Sequence, residues 1–228
     1  MQARTEQREN GSARVSESLA QAIHEHRLSP GMKLSEDEVG EIYGVSRTVV
    51  RAALQQLAHD RLVDLKRNRG AFVAQPSLRE AREVFETRIL LEPRTAKAAA
   101  ERATAADIEN MKRHIESEHA ALAAGETGRA LHLSGLFHIE IARIADQSII
   151  ADFIAQLVAR SSLIIALYWQ RRTALCDNHA HDGLIQAMLR QDGDLAQDLM
   201  MRHLIDLLTS LDLSDQPSVP KSLKEALN

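Results

Sequence analysis

The stretch from Gly44 to Arg51 constrains the fold of this chain more than any other. Gly44 offers a turn position with positive φ at no steric cost, and Ser46 belongs to the residue types that favour a helix N-cap. A helix from there to about Ala58 separates two faces at 3.6 residues per turn. One face is aliphatic, with Val50, Ala53, Leu54 and Leu57, and the opposite face is polar, with Arg47, Thr48, Arg51 and Gln55.

The polar face has the chemistry of a DNA reader. Guanidinium groups bind guanine edges or phosphates in a bidentate manner, glutamine pairs with adenine, and hydroxyls bond to either. An ordinary amphipathic surface helix with solvated arginines is the alternative that the helix alone leaves open.

The residues on both sides of this helix favour the DNA-reading interpretation. A first helix is predicted from Ser12 to Arg27, and Ser35 with Glu38 has the spacing of a capping box that opens a second helix. Helix, glycine-containing turn and helix are the arrangement of a helix-turn-helix. Two short apolar runs, 62–66 and 71–74, then predict a β-hairpin.

This hairpin is predicted to be a wing whose basic tip reaches phosphates or a minor groove. The tip combines Lys66, Arg67 and Arg69 with Gly70. Together with the helix, it completes the predicted DNA-contacting set of Ser46, Arg47, Thr48, Arg51, Gln55, Lys66, Arg67, Arg69 and Gly70.

Everything beyond the wing has helical periodicity. The predicted boundaries are a disordered arm over 1–11, a winged helix-turn-helix domain over 12–75, a linker over 76–77, an all-α domain over 78–213 and a tail over 214–228. The fold class is therefore mainly α, with three helices and a β-hairpin wing followed by an antiparallel bundle of about six helices. The first bundle helix is expected to be interrupted or kinked at Pro93.

The composition limits the classes of partner that this chain can bind and indicates its cellular compartment. The net charge of the 228 residues is −4, but residues 1–76 hold 11 Lys and Arg against 10 Asp and Glu, which is a net charge of +1. Aromatic residues make up only 3%, which argues against stacking on single-stranded nucleic acid. A single cysteine fits a reducing cytoplasm, the polar opening residues predict no signal peptide, and the longest aliphatic run, 163–169, is too short for a bilayer. We expect a cytoplasmic protein that binds double-stranded DNA.

Three histidines of the helical part lie on inward faces of separate predicted helices, namely His138, His181 and His203. A single inward histidine is more often a hydrogen-bonded core residue. Three such residues each leave a ring nitrogen that needs a partner, and one divalent metal ion would satisfy all of them. Both interpretations stay open, and the other histidines are expected at the surface or at helix caps: His24, His26, His59, His114, His119, His132 and His179.

Three segments resemble the winged helix of GntR-type bacterial transcription regulators, namely 28–36, 45–54 and 69–73. The helical part resembles the FCD effector domain of the FadR branch, because Arg88 and Glu92 form its R-x-x-x-E, Phe137-His138 its F-H pair, and His181 and His203 its later histidines. The resemblance covers about residues 12–213, and the number of bundle helices is similar to that of the shorter, VanR-like variant.

The resemblance implies a homodimeric repressor or activator on a short palindromic operator. It implies a divalent metal ion, zinc or nickel, held by the three histidines, and a small carboxylic acid effector bound by Arg88, His138, His181 and His203. Two positions depart from the family pattern: Ser134 stands where the family usually has a ligand Asp, and Ala180 stands where Glu often precedes the second histidine.

A metal-dependent hydrolase or lyase that uses the three histidines is the alternative function. No carboxylate is placed as a general base near His138, and Asp206 is the nearest to the last histidine in sequence. We therefore expect a ligand-responsive regulator rather than an enzyme, with no membrane partner.

Overall fold

The computed structural model describes the backbone of residues 2–169 and 179–214. The N-terminal part contains α1 (Gln2–His24), α2 (Glu36–Tyr43) and α3 (Arg47–His59) with three short strands, β1 (Lys33–Leu34), β2 (Val63–Lys66) and β3 (Gly70–Val73). The strands form an antiparallel sheet in the order β1-β3-β2. The winged helix-turn-helix prediction is confirmed. The structure adds the strand β1, which was not predicted because its two residues are too few to show any periodicity.

The N-terminal arm differs from the prediction. Residues 2–11 were expected to be disordered, but α1 begins at Gln2 and continues to His24. The arm holds two residues each of Arg, Gln and Glu, which have high intrinsic helix propensity. It lacks an apolar stripe, so the hydrophobic period that indicates a helix is absent there.

The turn into α3 is built on Gly44, which adopts the left-handed conformation at φ 64° and ψ 37°. Ser35 and Ser46 occupy the N-cap positions of α2 and α3, but neither side chain accepts a cap hydrogen bond, so the expected capping interactions are wrong. At Ser46 the reason is visible: the N–H of Val49 donates to the Ser46 backbone carbonyl at 2.9 Å. The two faces of α3 are as predicted, with buried Val50, Ala53, Leu54 and Leu57 and exposed Arg47, Thr48, Arg51 and Gln55.

The C-terminal part of the described chain is a bundle of six helices, as predicted. Pro93 lies inside a helix that continues without a break, so the predicted interruption is wrong. The predicted tail lies outside the described residues, except for Ser214. The bundle helices are α4 (Leu78–Arg102), α5 (Ala105–Ala123), α6 (Thr127–Ile144), α7 (Ser148–Tyr168), α8 (His179–Leu189) and α9 (Gly193–Thr209).

The two parts pack closely against each other at the end of α1. A Cβ added to Gly128 of α6 would lie 1.8 Å from the carbonyl oxygen of Glu25, so only glycine allows this approach. The Ser162 hydroxyl of α7 donates to the carbonyl of His24 at 3.3 Å. Leu163 of α7 is fully buried within the hydrophobic core of the winged helix. The end of α1 is therefore fixed to α6 and α7.

Helix α7 is the one helix of the described residues whose length and apolar composition would allow a membrane crossing, with a mean hydropathy of 1.7. This criterion is weak, because the core helix of a soluble protein also meets it. In this structure, α7 contributes Ile154, Leu163 and Ile164 to three separate hydrophobic clusters. Its apolar character is accounted for in part by this central packing.

Candidate metal centre and nucleic-acid interface

The three inward histidines converge in the bundle. His138 comes from α6, His181 from α8 and His203 from α9, and one ring nitrogen of each lies within 4.8 Å of the others. The Nε2 atoms of His138 and His203 are 3.3 Å apart. Within the described residues, this is the one group of three or more His, Cys, Asp or Glu side chains with ligand atoms so close together.

Buried carboxylates hold two of the imidazoles by their Nδ1 atoms. Glu92 Oε2 lies 2.6 Å from Nδ1 of His138, and Glu118 Oε2 lies 3.1 Å from Nδ1 of His181. Because an ionised carboxylate only accepts, these contacts place the proton on Nδ1 and leave a lone pair on Nε2. The Nε2 atom of His181 is buried and, within residues 2–169 and 179–214, has no hydrogen-bond partner.

The electrostatics match this assignment of protons. Burial raises the pKa of Glu92, but Arg88 and His138 outweigh burial and hold it at about 2. Burial lowers the pKa of His138 to about 4 against the pull of Glu92. Burial and the neighbouring histidines also keep the pKa of His203 well below its ordinary value. At neutral pH the carboxylate is charged and these imidazoles are neutral, which is the form that binds metal ions.

The donor set fits a divalent cation. Two nitrogens that each lie 2.0–2.1 Å from a tetrahedral zinc ion are about 3.3 Å apart, and the His138 and His203 nitrogens have this separation. The unpartnered nitrogen of His181 would gain the partner that it lacks. Ser134, at the usual Asp position, is not part of the histidine group but lines the adjacent cavity.

Glu118 is a functional candidate that the sequence reasoning missed. Ala180 stands where the resembled family often has Glu, and Glu118 of α5 supplies a carboxylate acceptor for the second histidine instead. A signal was available: Glu118 continues the buried stripe of Ile108, Met111 and Ile115 at helical spacing. A carboxylate on a buried stripe needs a polar partner.

A cavity of about 100 Å³ lies beside the histidine group, and we name it the junction cavity. Arg88 of α4 and His138 of α6 line it, and Arg88 is bound to Glu92 by two hydrogen bonds, from Nε at 2.5 Å and from Nη2 at 3.2 Å. The remaining lining comes mainly from α6 and α7. It also includes three histidines that were expected at the surface or at caps: His24 and His26 lie at the end of α1, whereas His132 lies within α6, and the expectation is wrong for His132.

The predicted DNA-contacting residues all have exposed side chains or backbone. Recognition-helix and wing residues line one shared groove, including Arg51, Gln55, Lys66, Arg67 and Gly70. The nine predicted residues thus lie on the outer surface of the winged helix, where a duplex could approach.

Acidic residues at the start of α2 hold the two arginines of the recognition helix. Arg51 Nε lies 2.8 Å from a carboxylate oxygen of Glu36, and Arg47 Nε lies 2.5 Å from one of Asp37. Both pairs are exposed and therefore contribute little to stability, so phosphates can replace the carboxylates at small cost.

The cations of the wing are organised by an aromatic ring. Lys66 Nζ lies 5.0 Å from the ring centroid of Phe72, and the Arg69 guanidinium lies 5.8 Å from it. Cation–π contacts of this kind stabilise a cation near a ring face. Phe72 was not among the predicted site residues.

Comparison with known proteins identifies both parts of the chain. The profile of bacterial regulatory proteins of the gntR family matches residues 12–73, and the profile of the FCD domain matches residues 83–206, which is more than half of the chain. The chain belongs to the GntR family and carries an FCD domain.

Relatives and solved structures agree with this assignment. The galactonate operon transcriptional repressor of Escherichia coli is 29% identical over 82% of this chain and 91% of its own. The Uxu operon regulator of Haemophilus influenzae is 28% identical over 89% and 82%, respectively. The structure of E. coli McbR/YncC covers 87% of this chain and 97% of its own, with a TM-score of 0.74 and 20% identity, and shows the same fold.

The family membership settles the class of function. The chain is a DNA-binding transcription regulator, and the alternative of a metal-dependent hydrolase or lyase is not supported by the matched domains or relatives. The residue Asp206, considered as a general base for that alternative, is exposed. The likeness to the VanR-like variant stays a prediction.

Proposed function

We propose that this GntR-family protein is a homodimeric regulator whose affinity for a short palindromic operator is changed by a small carboxylic acid bound at a metal centre in the FCD domain. The observation that carries the proposal is the convergence of three inward imidazoles beside a cavity lined by Arg88. A sensor of this kind works by linkage, with a coupling of about 1–3 kcal/mol between effector and DNA. The expected compartment is the cytoplasm.

The metal ligands in this proposal are His138, His181 and His203, with Glu92 and Glu118 orienting the first two. Three histidine ligands leave coordination positions open, and the bound cation would supply a Lewis-acidic contact for a carboxylate oxygen. Imidazole ligands suit zinc and nickel. Ser134 provides no charged fourth ligand, so its position beside the cavity leaves space for a water molecule or the effector.

Arg88 is proposed to bind the acid's carboxylate. Its guanidinium has five N–H donors, and two of its nitrogens donate hydrogen bonds to Glu92. It lines the junction cavity, so donors that face the cavity stay available for a second carboxylate. Since the galactonate operon repressor is similar to this chain, sugar acids such as galactonate belong in the set of acids to test.

The homodimer is supported by an apolar face on α4 and α7. Leu90, Ile149 and Phe153 have 77%, 73% and 55% of their surface exposed. Phe153 lines the same groove as Thr87, and Thr87 lies three residues before Leu90 on α4. Large apolar side chains exposed to this extent are candidates for an interaction surface, and a second copy would place two winged helices for two half-sites.

Thermal unfolding of chelator-stripped and metal-loaded protein tests the sensor. A ligand that binds only the native state raises the unfolding midpoint by mass action. Zinc or nickel should raise the midpoint, and an acid of the panel should raise it further only in the metal-loaded protein. Equal stabilisation by the acid with and without metal would show that Arg88 and its neighbours suffice and that the histidines are structural.

DNA binding is tested by selecting duplexes from a random pool. A palindromic consensus with two half-sites and a steep dependence on salt is expected. The stabilising acid should then change the affinity for the selected duplex. An acid that stabilises the protein but leaves the duplex affinity unchanged would contradict the proposed coupling.

A further inference from the structure

The junction cavity extends from the proposed effector site to the DNA-binding domain. Arg88 and His138 of the bundle line it, and so do His24 and His26, which end α1 of the winged helix. Between these two ends, the walls of the cavity are formed by α6 and α7, with small residues such as Gly135 and Ala155. One cavity is thus in contact with both domains.

The winged-helix part of the lining is a set of organised imidazoles. The ring of His24 stacks on that of His132 of α6, with centroids 5.3 Å apart and planes 11° from parallel. Nε2 of His26 lies 3.3 Å from the hydroxyl of Ser162 on α7. His26 is held in a left-handed backbone conformation at φ 58°. These side chains are therefore positioned by both domains.

The charge state of this set favours a hydroxyl partner. Burial lowers the pKa of both His24 and His26 to about 4, so both rings are neutral at neutral pH. A neutral imidazole has one donor and one acceptor nitrogen, and a hydroxyl group has both functions as well. Among the described residues that line the cavity, Arg88 is the one permanent cation, and Glu92 already neutralises it. A second carboxylate would lack a counter-charge at the histidine end.

We infer that the effector is a hydroxylated carboxylic acid whose carboxylate binds beside Arg88 and whose hydroxyl group binds His24 and His26 of the DNA-binding domain. This inference rests on the proposed function, because it places the acid in the same site. The ligand is then a direct part of the contact between the two domains. Its presence changes the packing at the end of α1 without any relay through intervening residues.

The test uses matched pairs of acids on the zinc-loaded full-length chain. Butanoate, pentanoate and hexanoate are compared by calorimetry with their ω-hydroxylated counterparts and with succinate, glutarate and adipate. At the chain length that binds most tightly, the hydroxy acid should bind about tenfold more tightly than the unsubstituted acid. A factor of this size is expected from one additional hydrogen bond. The dicarboxylate should bind no better than the unsubstituted acid.

Variants identify the residues that bind the hydroxyl group. His24→Leu and His26→Gly should each reduce the preference for the hydroxy acid to within about twofold, and glycine accepts the left-handed backbone of position 26. His119→Leu on α5, outside the cavity, is the matched control and should keep the preference. Retention of the preference in both cavity variants, or its loss in Ser134→Ala instead, would overturn the assignment to the winged helix.

Hydrogen exchange provides a second readout that does not depend on the variants. The hydroxy acid should slow exchange of the amides around 20–28, whereas the unsubstituted acid should protect only amides of the bundle. Equal affinity and equal protection for both acids would refute this inference and leave the proposed sensor intact. Failure of every one of these acids, and of the sugar acids named above, to bind the zinc-loaded chain would refute both.

Discussion

The Nε2 atoms of His138 and His203 lie 3.3 Å apart, which is within hydrogen-bonding distance. Burial keeps the pKa of both residues low, so both imidazoles are neutral. Glu92 accepts a hydrogen bond from Nδ1–H of His138, which leaves a lone pair on its Nε2. The buried Nε2 of His181 has no hydrogen-bond partner among the residues that the structure describes. The polypeptide alone therefore leaves a polar cluster only partly satisfied, and a cation completes it.

Glu118→Gln should weaken zinc binding by about 10–100-fold, since loss of a carboxylate behind a ligand histidine typically has this effect. The amide keeps the size of the side chain but no longer fixes the Nδ1 proton of His181. Competition with a chromophoric chelator measures the change. Glu116→Gln, on the exposed side of the same helix, is the control. Unchanged zinc affinity in the Glu118 variant would contradict the proposed centre.

Arg51→Ala should reduce operator affinity by about 1–3 kcal/mol, the range for loss of a bidentate base contact. The Arg51–Glu36 pair is exposed, so the free energy of unfolding should change by no more than about 0.5 kcal/mol. Arg79→Ala removes a similar exposed pair, with Glu83 of α4, and should leave DNA binding intact. Titrations of the selected duplex at several salt concentrations measure both variants. Wild-type affinity in Arg51→Ala would exclude this face of α3 as the reader.

The winged helix could be predicted well because its signals are local. Gly44 has the conformation that its position in the turn requires, and the aliphatic and polar faces of α3 follow directly from helical spacing. The caps at Ser35 and Ser46 could not be predicted, because whether a side chain or a backbone carbonyl takes the first-turn N–H depends on the exact turn geometry.

The candidate site was predicted only in part, because its surroundings depend on which helices become neighbours. The three histidines could be found from their inward faces. Glu118 comes from a helix distant in sequence, and the contact between Gly128 and Glu25 is set by domain packing. No periodic pattern encodes such contacts, so the position of His24 and His26 in a cavity became visible only in the folded chain.

Phe153→Asp should convert the proposed dimer into monomers. A carboxylate placed in an apolar contact loses its solvation without gaining a partner, which is strongly unfavourable. Phe153 is 55% exposed in the single chain, so the fold itself should tolerate the change. Light scattering measures the mass, with Leu195→Asp on α9 as a control for an exposed leucine elsewhere. A dimer that persists in Phe153→Asp would show that another face is used.

Gly128→Ala should destabilise the protein by about 1–3 kcal/mol, the range for overpacking. The added methyl group would overlap the backbone of Glu25, which cannot rotate away as a side chain would. In Gly11→Ala, also within a helix, the methyl group meets only Val49 at an ordinary 3.5 Å. That control should gain about 0.5–1 kcal/mol from helix propensity. Chemical denaturation distinguishes the two, and equal effects would show that α1 and α6 do not pack as described.

His26 should make the stability of the protein fall on acidification between about pH 6.5 and pH 4. Burial lowers its pKa to about 4 in the folded chain, whereas the unfolded chain has the ordinary value of 6.5. Between these values the unfolded chain binds a proton that the folded chain does not, so the free energy of unfolding decreases as the pH falls. Below pH 4 both states are protonated and the effect of His26 reaches its limit.

The variant His26→Asn tests this effect, because asparagine tolerates the left-handed backbone. Unfolding of this variant at pH 5 should take up about one proton fewer than unfolding of the wild type. Ser162→Ala keeps the imidazole and should retain the uptake. Urea denaturation across this pH range measures the slope, and the same slope in His26→Asn and wild type would show that His26 is not buried at the junction.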